Sequence, residues 1–269
     1  VALAHDIGHP PFGHSGESTL HHLMQENCGF DHNRHGLRIV DILERHTPGR
    51  DGLNLTYEVR ESFAKHNALP AHESPERRQI ADAGFDPAEQ LPIECQLGSL
   101  TDEIAYTSHD IDDGLRSGLI QPEALESLPL WRAAFDTARE RCGDASRQQL
   151  TPVALRRLID LLATDLIDET RRRADASGCR CIDDVRAHSE PIAAFSELIA
   201  AGKREVETFL YRNFYEHPVV REMVNRHQAI LADLFRAYMS RPDRLPERYR
   251  LRINAPDTLA QAVCDYIAG

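Results

Sequence analysis

From Thr151 to Arg173 the chain reads TPVALRRLIDLLATDLIDETRRR, with Val153, Leu155, Leu158, Leu161, Leu162, Leu166 and Ile167 gathered towards one side and most Arg and Asp on the other. A strand alternates with a period of two, so this 3.6-residue spacing commits the whole stretch to an amphipathic helix. Pro152 suits a first helical turn and Thr151 a cap before it. The same period returns in HGLRIVDILERH, PIAAFSELIAAG, KREVETFLYRNFYEH, PVVREMVNRHQAILADLFRAYMSR and DTLAQAVCDYIA. Alternating patterns are scarce, and only Arg180–Asp183 admits a short strand. The expected fold class is mainly α.

Two stretches interrupt the pattern. His66–Gln90 is polar and proline-rich and reads as a long connecting loop; Cys142–Gln149 reads as a shorter linker. They suggest a catalytic core over 1–141 and a helical C-terminal part over 150–269 packing on it. Trp131, in LPLWRAAF, is expected in the core. No apolar run of about 18 residues spans a membrane, and the start has no signal-peptide pattern. The six cysteines form no CxxC pair and read as free thiols of a cytoplasmic protein. The 31 Lys and Arg stand against 43 Asp and Glu, a net charge of −12. That field disfavours broad nucleic-acid binding but admits a small phosphorylated ligand held by a metal and a few local cations.

Chemistry concentrates at the start, in HDIGHPPFGHSGE. His5 and Asp6 offer a cation one nitrogen and one oxygen, and the remaining ligands must come from elsewhere in the chain. A later helix, in TDEIAYTSHDIDDGL, supplies Asp102, Tyr106 and Asp110 four apart in turn, along roughly one face. His14 and Glu17 stand i, i+3, close enough for the carboxylate to orient that imidazole.

Together HDIGHPPFGHSGE, FDHNRHGLRIV, LNLTYEVRESFAKH, TDEIAYTSHDIDDGLRSGL and the ending AVCDYIAG resemble the HD-domain deoxynucleoside triphosphate triphosphohydrolases, and most nearly their bacterial deoxyguanosine triphosphatase-like branch. The resemblance is strong over 1–120 and weaker in the C-terminal helices. It implies an HD-domain helical metallohydrolase that cleaves a dNTP to deoxynucleoside and inorganic tripolyphosphate. It also implies a divalent ion, Mg2+ or Mn2+ first, with Ni2+, Zn2+ or Fe as alternatives, and a homo-oligomer, often a hexamer.

By the matching motifs, His5, Asp6 and Asp102 are metal ligands. His14 and Glu17 are the catalytic pair, with His9 and His32 on the phosphate side. Tyr106 and Asp110 face the sugar. Lys65, His66 and Arg60 are candidates for the triphosphate, with His109 and Arg116 behind them. The family's first metal-binding histidine lies upstream of the HD pair. The sequence starts four residues before His5, so that ligand is expected in a longer protein. Two rival readings stand beside this one: another HD nucleotide phosphohydrolase, and a non-catalytic regulator that binds nucleotides or single-stranded nucleic acid.

Overall fold

Apolar periodicity becomes helix along most of the chain. A computed structural model describes residues 2–66, 75–253 and 257–269. Their regular structure is helical, apart from an isolated bridge between Ile253 and Asp257. The helices are α1 (Gly13–Leu23), α2 (His32–Arg38), α3 (Tyr57–Ala64), α4 (Pro75–Asp82), α5 (Ile93–Arg116) and α6 (Pro129–Cys142). They continue with α7 (Arg147–Ser177), α8 (Ile182–Arg186), α9 (Glu197–Leu210), α10 (Pro218–Ser240), α11 (Glu247–Arg250) and α12 (Leu259–Ala268). A 3-10 turn, His5–Gly8, precedes α1, and π turns, Ile39–Leu43 and Tyr211–Tyr215, follow α2 and α9. No described helix is long and apolar enough to cross a membrane.

Several boundaries differ from the sequence reading, each for a local reason. Helix α7 starts earlier than Thr151, because Ser146 and Gln149 form a capping box. Pro152 therefore lies inside the helix, one turn in, where it removes a single backbone donor. Arg180–Asp183 is no strand: the Asp184 carboxylate accepts from the backbone N–H of Arg180 at 2.7 Å and of Cys181 at 3.2 Å, starting α8. Within His66–Gln90, residues 67–74 lie outside the described residues. Beyond them α4 replaces the expected loop, with Pro75 at its first position.

The chain divides into two compact units: Leu3–Ala88 with Glu222–Gly269, and Glu89–Arg221. The linker Cys142–Gln149 lies inside the second. That unit's core joins Ile104 and Ile111 of α5, Trp131 and Phe135 of α6, Leu158, Leu162 and Leu166 of α7, and Val206 and Leu210 of α9. At Gly202 a Cβ would stand 2.7 Å from the Leu130 side chain, so this glycine lets α9 close onto α6.

The first unit has two apolar clusters. Leu20 and Met24 of α1 pack with Leu231 and Phe235 of α10 and Val263 and Ile267 of α12. Leu37 of α2 packs with Val40, Phe63 of α3, Ile80 of α4 and Phe85. Helix α2 is pinned on two sides. At Gly8 a Cβ would meet the His32 carbonyl oxygen at 2.0 Å and the Gly36 nitrogen at 2.4 Å, so only glycine lets the His5–Gly8 turn lie against α2. Arg38 gives Asp265 of α12 a two-pronged hydrogen bond, at 2.8 and 2.7 Å, and also reaches Asp257 at 2.7 Å.

Beside this ion network His35 is buried, its Nδ1 3.8 Å from Asp265. Burial first, and Arg38 and Arg34 next, lower its pKa to about 4 against the opposing pull of Asp265. The unfolded chain takes up this proton near pH 6.5, the folded one only near 4. Stability is therefore lost as pH falls from about 6.5 to about 4, by roughly 3 kcal/mol at about 1.4 kcal/mol per pKa unit. Urea unfolding across this window should show that much less pH dependence in His35→Gln than in the wild type. Parallel pH profiles would remove the assignment.

Candidate active site

The turn His5–Gly8 presents His5 and Asp6, and the two side chains meet at 3.2 Å between Nε2 and Oδ1. The same Asp6 oxygen lies 3.2 Å from Nδ1 of His9. Asp6 is exposed; both histidines are mostly covered. After His9 the segment PPF bends the chain, with Phe12 in the left-handed region at φ 70. Phe12 stacks face to face on His227 of α10, with centroids 4.2 Å apart. The bend starts α1, which carries His14 and Glu17 on its first turns.

His32 opens α2, capped by Asp31, whose side chain accepts from the Arg34 N–H at 2.8 Å. The spacing suggested that Glu17 orients His14. The structure gives Glu17 to His32 instead: one carboxylate oxygen accepts from the His32 backbone N–H at 2.9 Å and meets its ring Nδ1 at 2.8 Å. His14 stays exposed, its ring edge-on to His9 at 5.0 Å and to His32 at 6.1 Å. The His9 and His32 rings stack at 4.0 Å.

Charge is divided between these rings. Burial disfavours charge on His32, but the Glu17 hydrogen bond and the nearby Glu17, Asp31 and Asp6 carboxylates outweigh it and raise its pKa. Burial likewise works against ionised Glu17, and the His32 bonds overcome it and lower its pKa. His9 moves the other way: burial, then the charge of His32, lowers its pKa. The result is an ion pair, Glu17–His32, stacked against a neutral imidazole.

His66, expected at a phosphate, comes to the metal pair. Its ring lies 4.3 Å from that of His5, and its carbonyl accepts from the Asn33 side chain at 2.8 Å. Burial, then His5, lowers the His66 pKa to about 4. His5, Asp6 and His66 can each offer one ligand atom, all within 4.8 Å of one another. The same holds for Asp6, His9 and His32, and for His9, His14 and Glu17. A donor set of imidazoles with a carboxylate fits a divalent cation of the borderline class. The other expected triphosphate contacts carry charges already met. Lys65 is buried on Glu61 at 2.6 Å, and Arg60 clasps Asp41 at 2.8 and 2.7 Å.

Asp102, Tyr106 and Asp110 lie on α5 in the second unit. Tyr106 donates its phenol to Glu207 of α9 at 3.0 Å. Asp110 accepts from the phenol of Tyr215, at the end of the π turn. Lys203 stands between Glu103, at 2.6 Å, and Glu207. Sequence reasoning missed Glu207, Tyr215 and Lys203, since their partners stand on another helix. Of the remaining candidates, Arg116 pairs with Asp112 at 2.9 Å.

Comparison with known proteins places this geometry. Residues 1–107 match the HD domain, and residues 193–269 match the phosphohydrolase-associated domain. Over its whole length the chain is 42% identical to a deoxyguanosinetriphosphate triphosphohydrolase-like protein of Ralstonia pickettii, covering 68% of that relative. The chain belongs to the deoxyguanosinetriphosphate triphosphohydrolase-like proteins. Other members of the family share its full span: one from Geobacter sulfurreducens is 40% identical, with 68% of its length covered, and one from Ruegeria is 37% identical, with 72% covered. HD domains are metal-dependent hydrolases, and the imidazole–carboxylate groups of the first unit are of the kind such a metal needs.

Proposed function

We propose that this protein hydrolyses a deoxynucleoside triphosphate to the deoxynucleoside and inorganic tripolyphosphate. The observation that carries the proposal is the Glu17–His32 ion pair stacked on neutral His9 beside His5 and Asp6, in a member of a family bearing that activity in its name. Water attacks the α-phosphorus, the bond to the sugar 5′ oxygen breaks, and that oxygen takes a proton.

In this reading His5 and Asp6 hold the divalent ion, with Asp102 as a further ligand on the strength of its motif. The ion would polarise the phosphate and lower the pKa of a bound water. His32, kept charged by Glu17, stabilises negative charge on the phosphoryl group. His9 supports it as a neutral donor, and exposed His14 delivers the proton to the leaving oxygen. Tyr106 and Asp110 receive the sugar. Arg60 and Lys65 are left out of the contact set because their charges are already met.

Incubation with the four dNTPs, the matching dNMPs and GTP in Mn2+ or Mg2+ tests the reading. Turnover of dNTPs alone supports it; preference for a monophosphate moves the protein to another class of HD phosphohydrolase. Glu17→Gln adds a sharper check. It keeps the side chain's shape but removes the charge that holds His32 protonated. A positioned acid–base group contributes about 10²–10⁴-fold, so kcat should fall by at least about 10²-fold with metal content unchanged. Activity within a few-fold of wild type would remove Glu17–His32 from the chemistry.

A further inference from the structure

Helix α9 buries Ile199, Lys203, Val206 and Leu210 on one face. A lysine in that row is anomalous, because an apolar side chain there would extend the core. Lys203 is only 8% exposed, and its ammonium is met by two carboxylates, Glu103 of α5 and Glu207 one turn further along α9. Replacing a buried ion bridge by well-packed apolar residues is often neutral or stabilising. Stability is therefore a weak reason for this arrangement, and its neighbours supply a better one.

One oxygen of Glu207 accepts from both Lys203 and the Tyr106 phenol. The Tyr106 proton is thereby committed to Glu207, and its half-exposed oxygen faces outward as an acceptor. One turn along α5, the Tyr215 phenol gives its proton to Asp110, leaving that carboxylate an acceptor too. The α5 face thus offers Tyr106 and Asp110 as acceptors. Acceptors repel phosphate oxygens and bind hydroxyl protons. The ligand part that suits them is a sugar, read by its hydroxyl groups.

We infer that Lys203 is a positioning residue for sugar recognition: it fixes Glu207, Glu207 fixes the Tyr106 phenol as an acceptor, and the protein thereby distinguishes deoxyribose from ribose. The inference rests on the reading of Tyr106 and Asp110 as the sugar-facing pair. Lys203 touches no ligand in it. Its effect should appear in KM and sugar selectivity while kcat stays within a few-fold.

The test uses the complete protein and the variants Lys203→Met, Lys203→Arg, Tyr106→Phe and the double variant Lys203→Met with Tyr106→Phe. For each, kcat and KM are measured for a dNTP and its ribonucleotide. Dissociation constants for their non-hydrolysable α,β-methylene analogues are measured in parallel. A hydrogen bond to a charged group contributes about 1.5–3 kcal/mol, so Lys203→Met should lower the deoxy-to-ribo ratio about ten-fold or more. Lys203→Arg should restore most of it, and in the Tyr106→Phe background Lys203→Met should change the ratio no further.

An unchanged ratio in folded Lys203→Met overturns the inference, and so does an equal loss in both backgrounds. If Lys203→Met does not fold, Glu207→Gln carries the same test. Wild-type protein that binds the dNTP analogue but turns over no dNTP would sink the proposed reaction, while the ratio of dissociation constants still decides the role of Lys203. Wild type that binds neither analogue overturns both.

Discussion

Asp6→Ala should abolish metal binding and turnover together. Asp6 is the carboxylate shared by His5 and His9, at 3.2 Å from each, and its side chain is 57% exposed. Its removal therefore takes away the oxygen ligand without opening a cavity. A metal contributes several kcal/mol to phosphoryl chemistry, so kcat/KM should fall by about 10³-fold or more at ~1.4 kcal/mol per decade. Elemental analysis after gel filtration should find no bound divalent ion, and thermal melting should stay near that of metal-stripped wild type. Full metal occupancy in the variant would remove Asp6 from the ligand set.

Asp265→Ala should be the most destabilising single change in the first unit. The carboxylate is fully buried and accepts from Arg38 and from Gln261, the latter at 2.7 Å. Its loss leaves the Arg38 guanidinium with Asp257 alone, and Arg252 already holds that residue at 2.7 Å. Breaking a buried pair on one side costs about 3–5 kcal/mol. Arg38 ends α2 and His32 begins it, so the same loss loosens the helix that presents His32 to Glu17. Urea unfolding measures the first effect and kcat the second. A change under about 1 kcal/mol would mean that the apolar cluster of α1, α10 and α12 holds this region without the ion network.

The amphipathic helices were legible because burial of one face leaves a periodic trace. α7, α10 and α12 appear where the spacing puts them. Their ends were less so. The Ser146–Gln149 box was present in the sequence, but Pro152 drew the start into the wrong turn. Helix α4 hid in a polar, proline-rich stretch that shows little apolar period.

At the site, residue types were legible and partnerships were not. HDIGHPPFGH marked the right segment. Local spacing paired Glu17 with His14, three residues away, whereas the fold brings His32 from fifteen residues away. The i, i+4 pair Glu61–Lys65 was readable and would have shown that Lys65 is neutralised. Arg60 with Asp41, His66 with His5, and Tyr106 with Glu207 arise from tertiary packing, which no local period records.

The most direct test of the central claim is the identity of the products. The complete protein, loaded with Mn2+, is incubated with dGTP in water enriched in oxygen-18, and the products are separated by ion exchange. The account predicts deoxyguanosine and intact tripolyphosphate, with the label on the terminal phosphate that had been the α-phosphate. Pyrophosphate with dGMP, or orthophosphate with dGDP, would contradict it.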